Sequence, residues 1–180
     1  MRAAARHPVV EEDLEEIASS PIPFEALEGR TVLVTGAAGF LPAYLTEALL
    51  ALNERRAGFG VRVLALVRDR ARAERRYAAY RGRDDLALVV QDVVEPIRAP
   101  EPVDYVVHAA SPASPKYFGA DPVGTLLPNV VGTRNVLELA RASGARGVLF
   151  LSSGEVYGRV PPESIPIRED AYGYVDPATV

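Results

Sequence analysis

From Arg30 onward, short apolar runs alternate with longer stretches whose apolar positions recur every three or four residues. TVLVT (31–35), VRVLALV (61–67), LALVV (86–90), VDYVVHA (103–109) and GVLFLS (147–152) are nearly continuous in aliphatic and β-branched types. Such runs suit strands buried on both faces. Between the first two, Leu41, Leu45, Leu49 and Leu52 share one helical face. A second helix is expected over 69–81. A third is expected over 122–143, with Val130, Leu137 and Ala140 among its inward positions and Gly144 as its stop. Strand and helix alternate, which predicts an α/β fold built on a doubly wound parallel sheet. Ahead of this pattern, residues 10–28 read as an acidic helix and a Pro-broken connector. The expected division is therefore 1–28 as an N-terminal helix and connector, and 29–180 as the main domain.

Composition narrows the chemistry. With 180 residues, 48% of them apolar and 24% charged, the chain has the makings of a packed globular domain. Twenty basic against 24 acidic side chains leave a net charge of −4, the wrong sign for a partner defined by phosphate counterions, so no nucleic acid is expected. The absence of Cys excludes disulfides, thiolate metal sites and a cysteine nucleophile. Two histidines, His7 and His108, are too few to suggest a zinc site, and no metal is expected. No run approaches the ~20 apolar residues of a membrane helix and no signal-peptide core opens the chain, so a cytoplasmic protein without membrane partners is expected. Lys116 is the only lysine. Any mechanism that needs an ammonium group must use it.

The first strand runs directly into Gly36-Ala37-Ala38-Gly39-Phe40-Leu41 and then a helix, the context of a Rossmann dinucleotide fingerprint. Gly36 permits a tight turn and Gly39 a close backbone approach to a diphosphate, whose charge the N–H groups of the helix start would meet. Pro42 occupies the third glycine position, where a first helical turn tolerates it. Two glycines after a strand also describe an ordinary tight turn. The second strand ends Val67-Arg68-Asp69-Arg70. A carboxylate there accepts from a ribose 2′-OH and an arginine receives a 2′-phosphate, so NAD and NADP both stay open. Arg68, Arg70, Arg72, Arg75 and Arg76 equally fit the solvated face of a helix.

TGAAGFL, QDV (91–93), HAAS (108–111), NVVGTRNVLELA (129–140) and SSGEVYG (152–158) follow one another in an order that resembles the extended short-chain dehydrogenase/reductase family. The likeness is to its NAD-dependent nucleotide-sugar epimerases, dehydratases and decarboxylases. HAASPASPKYF and the stretch after SSGEVYG look most like UDP-glucuronate decarboxylases. The resemblance implies that Gly36, Gly39, Phe40 and Leu41 surround the pyrophosphate and that Asp92 and Val93 bracket the adenine. It further implies that Ala109, Ala110 and Ser111 line the cofactor, with Arg68 and Asn129 on the cofactor side. Ser114, Lys116 and Tyr117 would face the sugar. NAD is the implied cofactor, bound and recycled, with NADP not excluded. His108, in a buried strand, reads as a satisfied core histidine.

Ser153 stands at the family's catalytic Ser/Thr position, where its hydroxyl would bond the sugar 4-OH while NAD takes the C4 hydride. Glu155 matches the glutamate of the decarboxylases. Gly154 stands where 4,6-dehydratases place an aspartate, which disfavours dehydration; dehydration and epimerisation remain alternatives. The family's Tyr-x-x-x-Lys base is absent by count, because Pro112 lies four residues before the only lysine. The chain is therefore expected to stop short of that motif, of the last strands and of a substrate domain, and to bind a dinucleotide without turning over sugar. A homodimer, formed in part through 122–143, is expected of the full-length protein. A reading of another class is a non-catalytic NAD(P)-binding sensor or interaction module.

Overall fold

The computed structural model describes residues 6–114, 116–171, 173 and 175. Residues 1–150 and 151–180 form two compact units.

The first unit opens with α1 (Pro8–Ser19), then alternates β1 (Thr31–Thr35), α2 (Phe40–Arg55), β2 (Arg62–Val67), α3 (Arg70–Arg76), β3 (Leu86–Val90) and β4 (Tyr105–His108). Short helices α4 (Lys116–Ala120) and α5 (Pro122–Leu127) precede α6 (Thr133–Ser143) and β5 (Gly147–Phe150). The five strands form one parallel sheet in the order β3-β2-β1-β4-β5, the doubly wound arrangement expected from the alternation. Successive residues of β1 serve opposite faces. Val32 and Val34 pack with Leu50, Ala65 and Tyr77, while Leu33 packs with Leu64, Val106, Val136 and Ala140. Both faces are covered, so the strands carry the nearly unbroken apolar runs seen in the sequence. β5 differs, for its Val148, Leu149 and Phe150 are exposed at the sheet edge.

Two helix faces depart from expectation. Leu41 in α2 is 59% exposed and Leu45 is exposed as well; the buried face is Ala43, Thr46, Glu47, Leu50 and Ala51, on the other side of the helix. The small residues let α2 sit close to the sheet, and the leucine stripe divides along the helix: Leu52 is buried in the core and Leu49 packs against it, whereas Leu41 and Leu45 at the start face outward. Over 122–143, Val130 is 58% and Leu137 52% exposed, whereas Val136 is fully buried and Ala140 joins it. The stretch is helical throughout, as expected, but its period is not uniform. A π turn over Pro128–Gly132 joins α5 to α6 without a break, and its extra residue rotates the face that an uninterrupted 3.6-residue period would turn inward. Gly144 ends α6 at φ +67°, the left-handed stop its sequence suggested.

α1 packs on α2 through the buried Leu14 and Ala18. Arg55 pairs with Glu15 at 2.6 Å and Glu11 at 3.2 Å, and the Tyr44 hydroxyl donates to Asp13 at 3.0 Å. Among the described residues no helix is long and apolar enough to cross a membrane. The second unit carries 3₁₀ turns at Gly154–Tyr157 and Pro162–Ser164.

Candidate functional site

The parallel register sets Thr35 level with Leu66 on one side and with His108 on the other, so the carboxyl ends of β1, β2 and β4 form one rim. Gly36 leaves β1 at φ +66°. A Cβ there would lie 2.9 Å from the Ala109 carbonyl oxygen and from Ala110 Cα, so the β4 end approaches as only glycine allows. The buried Ala37 donates its N–H to Leu66 at 3.2 Å, and its carbonyl accepts from the Tyr77 hydroxyl at 2.5 Å. Burial pushes the Tyr77 phenol up to about 12, which keeps it a neutral donor. The loop is thus held by β2 on one side and α3's end on the other.

Gly39 caps α2 and donates to the Gly36 carbonyl at 2.8 Å. Its own Cβ would meet Gly36 O and Pro42 Cγ at 3.1 Å. Pro42 therefore does not block the helix start; its buried ring packs against the glycine, and α2 continues for 16 residues. Phe40 and Leu41, the first two helical residues, project exposed side chains, and no backbone carbonyl among the described residues receives their N–H groups. Two N–H groups without a backbone acceptor at the positive end of a four-turn helix fit a diphosphate.

Behind this rim runs a polar chain that the sequence did not announce. Thr35 Oγ1 accepts the N–H groups of Ala109 and Ala110, each at 3.1 Å, and lies 2.8 Å from His108 Nδ1. With both lone pairs taken, the Thr35 hydroxyl must donate to Nδ1. His108 is then the neutral Nε2–H tautomer, donating to Thr133 Oγ1 at 3.1 Å, and Thr133 donates to the Asn129 carbonyl at 2.6 Å. Burial lowers the His108 pKa, with the Pro128 carbonyl opposing it. His108 is a satisfied core histidine.

The other sequence-derived positions separate into groups. Arg68 and Asp92 meet at the β2 and β3 ends, with Nη1 to Oδ2 at 3.8 Å. Asp92 Oδ1 also accepts the Val94 N–H at 3.1 Å. Val93 is buried in the core, where its side chain fills the space a Cβ on Gly132 would need, and its carbonyl accepts from Asn135 Nδ2 at 3.0 Å. Asn129, half-buried in the π turn, gives its amide to the Thr125 carbonyl at 2.7 Å. Ala109 and Ala110 are half-buried and Ser111 is exposed after β4; Ser114 is half-buried and Lys116 opens α4 on the surface. Tyr117 follows in α4, and its side chain lies outside the described residues.

Ser153 and Glu155 belong to the second unit. Ser153 caps the 3₁₀ turn, its Oγ accepting the Glu155 N–H at 3.2 Å, and both side chains are exposed.

Thr35, Tyr77, Gly132 and Asn135 are structural partners of the site that the sequence reading left unassigned. For Asn135 a signal existed, since it lies inside NVVGTRN beside the assigned Asn129. Tyr77 had none, being 40 residues from the carbonyl it holds.

A family model described as "NAD dependent epimerase/dehydratase family" matches residues 32–179. Among curated proteins, the chain is 37% identical over 158 residues to UDP-glucuronic acid decarboxylase 1 of Danio rerio, covering 87% of this chain and 35% of the relative. It is 36% identical over 149 residues to UDP-glucuronic acid decarboxylase 6 of Arabidopsis thaliana, covering 83% and 40%. Among solved structures, a UDP-galactose 4-epimerase matches with a TM-score of 0.62 at 29% identity, over 80% of this chain and 44% of that one. A dTDP-glucose 4,6-dehydratase from Streptomyces venezuelae, solved with NAD bound, matches with a TM-score of 0.62 at 27% identity, over 73% and 42%. The chain spans 35% and 40% of the length of these two curated relatives.

Proposed function

The chain belongs to the NAD-dependent epimerase/dehydratase family, and on that premise we propose that it binds a nicotinamide dinucleotide at the rim of its sheet, within an enzyme that modifies a nucleotide sugar through a 4-keto intermediate. UDP-glucuronate decarboxylation is the favoured reaction, with 4,6-dehydration and 4-epimerisation as alternatives. In this reading 29–180 is the dinucleotide-binding part and 1–28 an accessory helix and connector. A second copy of the chain and a cytoplasmic setting are parts of the same reading. One observation carries the proposal: the Gly36–Gly39 loop is pressed against the β4 end, and among the described residues the Phe40 and Leu41 N–H groups at the start of α2 meet no backbone acceptor.

When bound, the dinucleotide supplies a hydride acceptor and donor at the sugar C4. The chain's own residues bind and orient. Phe40 and Leu41 N–H groups hold the diphosphate, and Ala109 to Ser111 line the cofactor at the end of β4. Ser153 Oγ receives the Glu155 N–H with one lone pair and keeps its proton for a sugar oxygen. Between Ser153 and Glu155, Gly154 offers no acid to a departing 6-hydroxyl. Decarboxylation needs none, because a 4-ketone is β to the C5 carboxylate and receives the electron pair as CO₂ leaves. Lys116, the sole lysine, has Pro112 four residues before it, so the chain itself carries no Tyr-x-x-x-Lys base. A second reading, of another class, is a non-catalytic dinucleotide-binding module.

The test is calorimetric titration with NAD and a parallel incubation with NAD and UDP-glucuronate. Saturable one-to-one binding without CO₂ release is expected. Absence of binding would overturn the proposal, and CO₂ release would show a base other than Tyr-x-x-x-Lys at work.

A further inference from the structure

The start of α2 lacks the side chain that ordinarily holds a helix N-terminus. Gly39 stands at the cap position and has nothing with which to bond the first N–H groups. Helix ends fray, yet a ligand held by the Phe40 and Leu41 N–H groups binds best when that turn is already in place. The Phe40 side chain is 76% exposed, so burial does not anchor it.

A row of contacts across α2 does. The Phe40 ring meets the Tyr44 ring edge-on, with centroids 5.6 Å apart and planes at 65°, as residues four apart on one helical face can. Tyr44 is half-buried and fixed at its far end, its hydroxyl donating to Asp13 Oδ2 at 3.0 Å. The hydrogen bond to the Asp13 carboxylate pushes the Tyr44 phenol above its ordinary value, which keeps it a neutral donor. From α3, the Arg76 guanidinium lies 6.0 Å from the centre of the same ring.

Asp13 belongs to α1. That helix is seated on α2 independently of this bond, by the buried Leu14 and Ala18 and by the pairing of Arg55 with Glu11 and Glu15. It also lies outside the residues that the family model matches. The row therefore runs from a helix beyond the family match to the first N–H of the cradle.

We propose that Tyr44 is a positioning residue for the diphosphate cradle, held in place by Asp13, so that α1 serves dinucleotide binding as well as packing. The proposal rests on the reading that the start of α2 takes the diphosphate, and it extends that site to a segment the reading left as an accessory.

Titration with NAD and with ADP, at a temperature where each protein is fully folded, tests this in the native chain, Tyr44→Leu, Tyr44→Phe, Asp13→Ala and the double variant Tyr44→Phe/Asp13→Ala. Tyr44→Leu removes ring and hydroxyl together and should raise both Kd values by about three- to tenfold, the size of one aromatic pair. Tyr44→Phe and Asp13→Ala remove the same hydrogen bond. Each should raise Kd by about threefold, and the double variant should be no worse than either. Since α1 keeps its other anchors, Asp13→Ala stays folded even where Tyr44→Leu does not. A tether that serves folding alone would lower the thermal midpoint and leave every Kd unchanged, and that result would overturn the positioning role. Additive losses in the double variant would overturn the part given to α1. Failure of the native chain to bind either ligand would overturn the dinucleotide reading and this proposal with it.

Discussion

The Thr35 hydroxyl donates to His108 Nδ1 across 2.8 Å while accepting the N–H groups of Ala109 and Ala110. One side chain at the end of β1 thereby fixes the tautomer of a buried histidine on β4 and the path of the backbone that Gly36 faces. The rim is a unit: moving any of these groups moves the others.

Thr35→Val keeps the shape and removes the hydroxyl. It leaves Nδ1 and two N–H groups without their acceptor or donor in a buried place, so unfolding free energy should fall by about 1–3 kcal/mol. Thr35→Ser should recover most of the loss. Urea denaturation of the three proteins checks this.

His108 gives a pH signature. Its folded pKa lies below the ordinary 6.5, so its neutral form contributes stability that is intact above pH 6.5 and declines as pH falls below it towards the folded value. Protonation would also put a hydrogen on Nδ1 facing a Thr35 hydroxyl with no free lone pair. Stability measured between pH 5 and pH 7 should fall more steeply on the acid side for the native chain than for His108→Gln. Equal slopes would show that His108 does not titrate with unfolding.

Gly36→Ala introduces a Cβ at φ +66° and 2.9 Å from backbone atoms of Ala109 and Ala110. The left-handed conformation alone costs about 1 kcal/mol, and the backbone contact displaces the rim. Dinucleotide affinity should fall by at least about tenfold, a loss of 1.4 kcal/mol, with the thermal midpoint lowered as well.

Gly132→Ala addresses the packing of Val93 against the helix over 122–143. Its Cβ would stand 2.9 Å from Val93 Cγ1, an overpacking that should cost about 1–3 kcal/mol. Val93→Ala in the same chain should relieve the clash, so the double variant should be more stable than the sum of the two single losses predicts. Thermal unfolding of the four proteins completes that cycle.

What the sequence disclosed was local. The strands, the loop from Gly36 to Leu41 and the stop at Gly144 are written in consecutive residues, and the structure has them there. The leucine stripe of α2 captured Leu49 and Leu52, which reach the core, but passed over the buried Ala43, Thr46 and Ala51, whose small or polar side chains carry no apolar signal. The turn at Pro128–Gly132 hid the phase of α6. Thr35 and His108 stand 73 residues apart, and Val93 and Asn135 stand 42 apart. Their pairing follows from strand order and helix docking, which no local pattern encodes. Arg68 and Asp69 were legible as charges, but the bond by which Asp69 Oδ1 caps α3 was not.

The central claim, that the start of α2 cradles a diphosphate, is tested most directly by amide chemical shifts in a ¹⁵N-labelled chain titrated with dinucleotide. The Phe40 and Leu41 amides should move furthest and saturate together, with Ala109 and Ala110 following through Thr35. Saturating shifts that leave Phe40 and Leu41 in place would contradict the account.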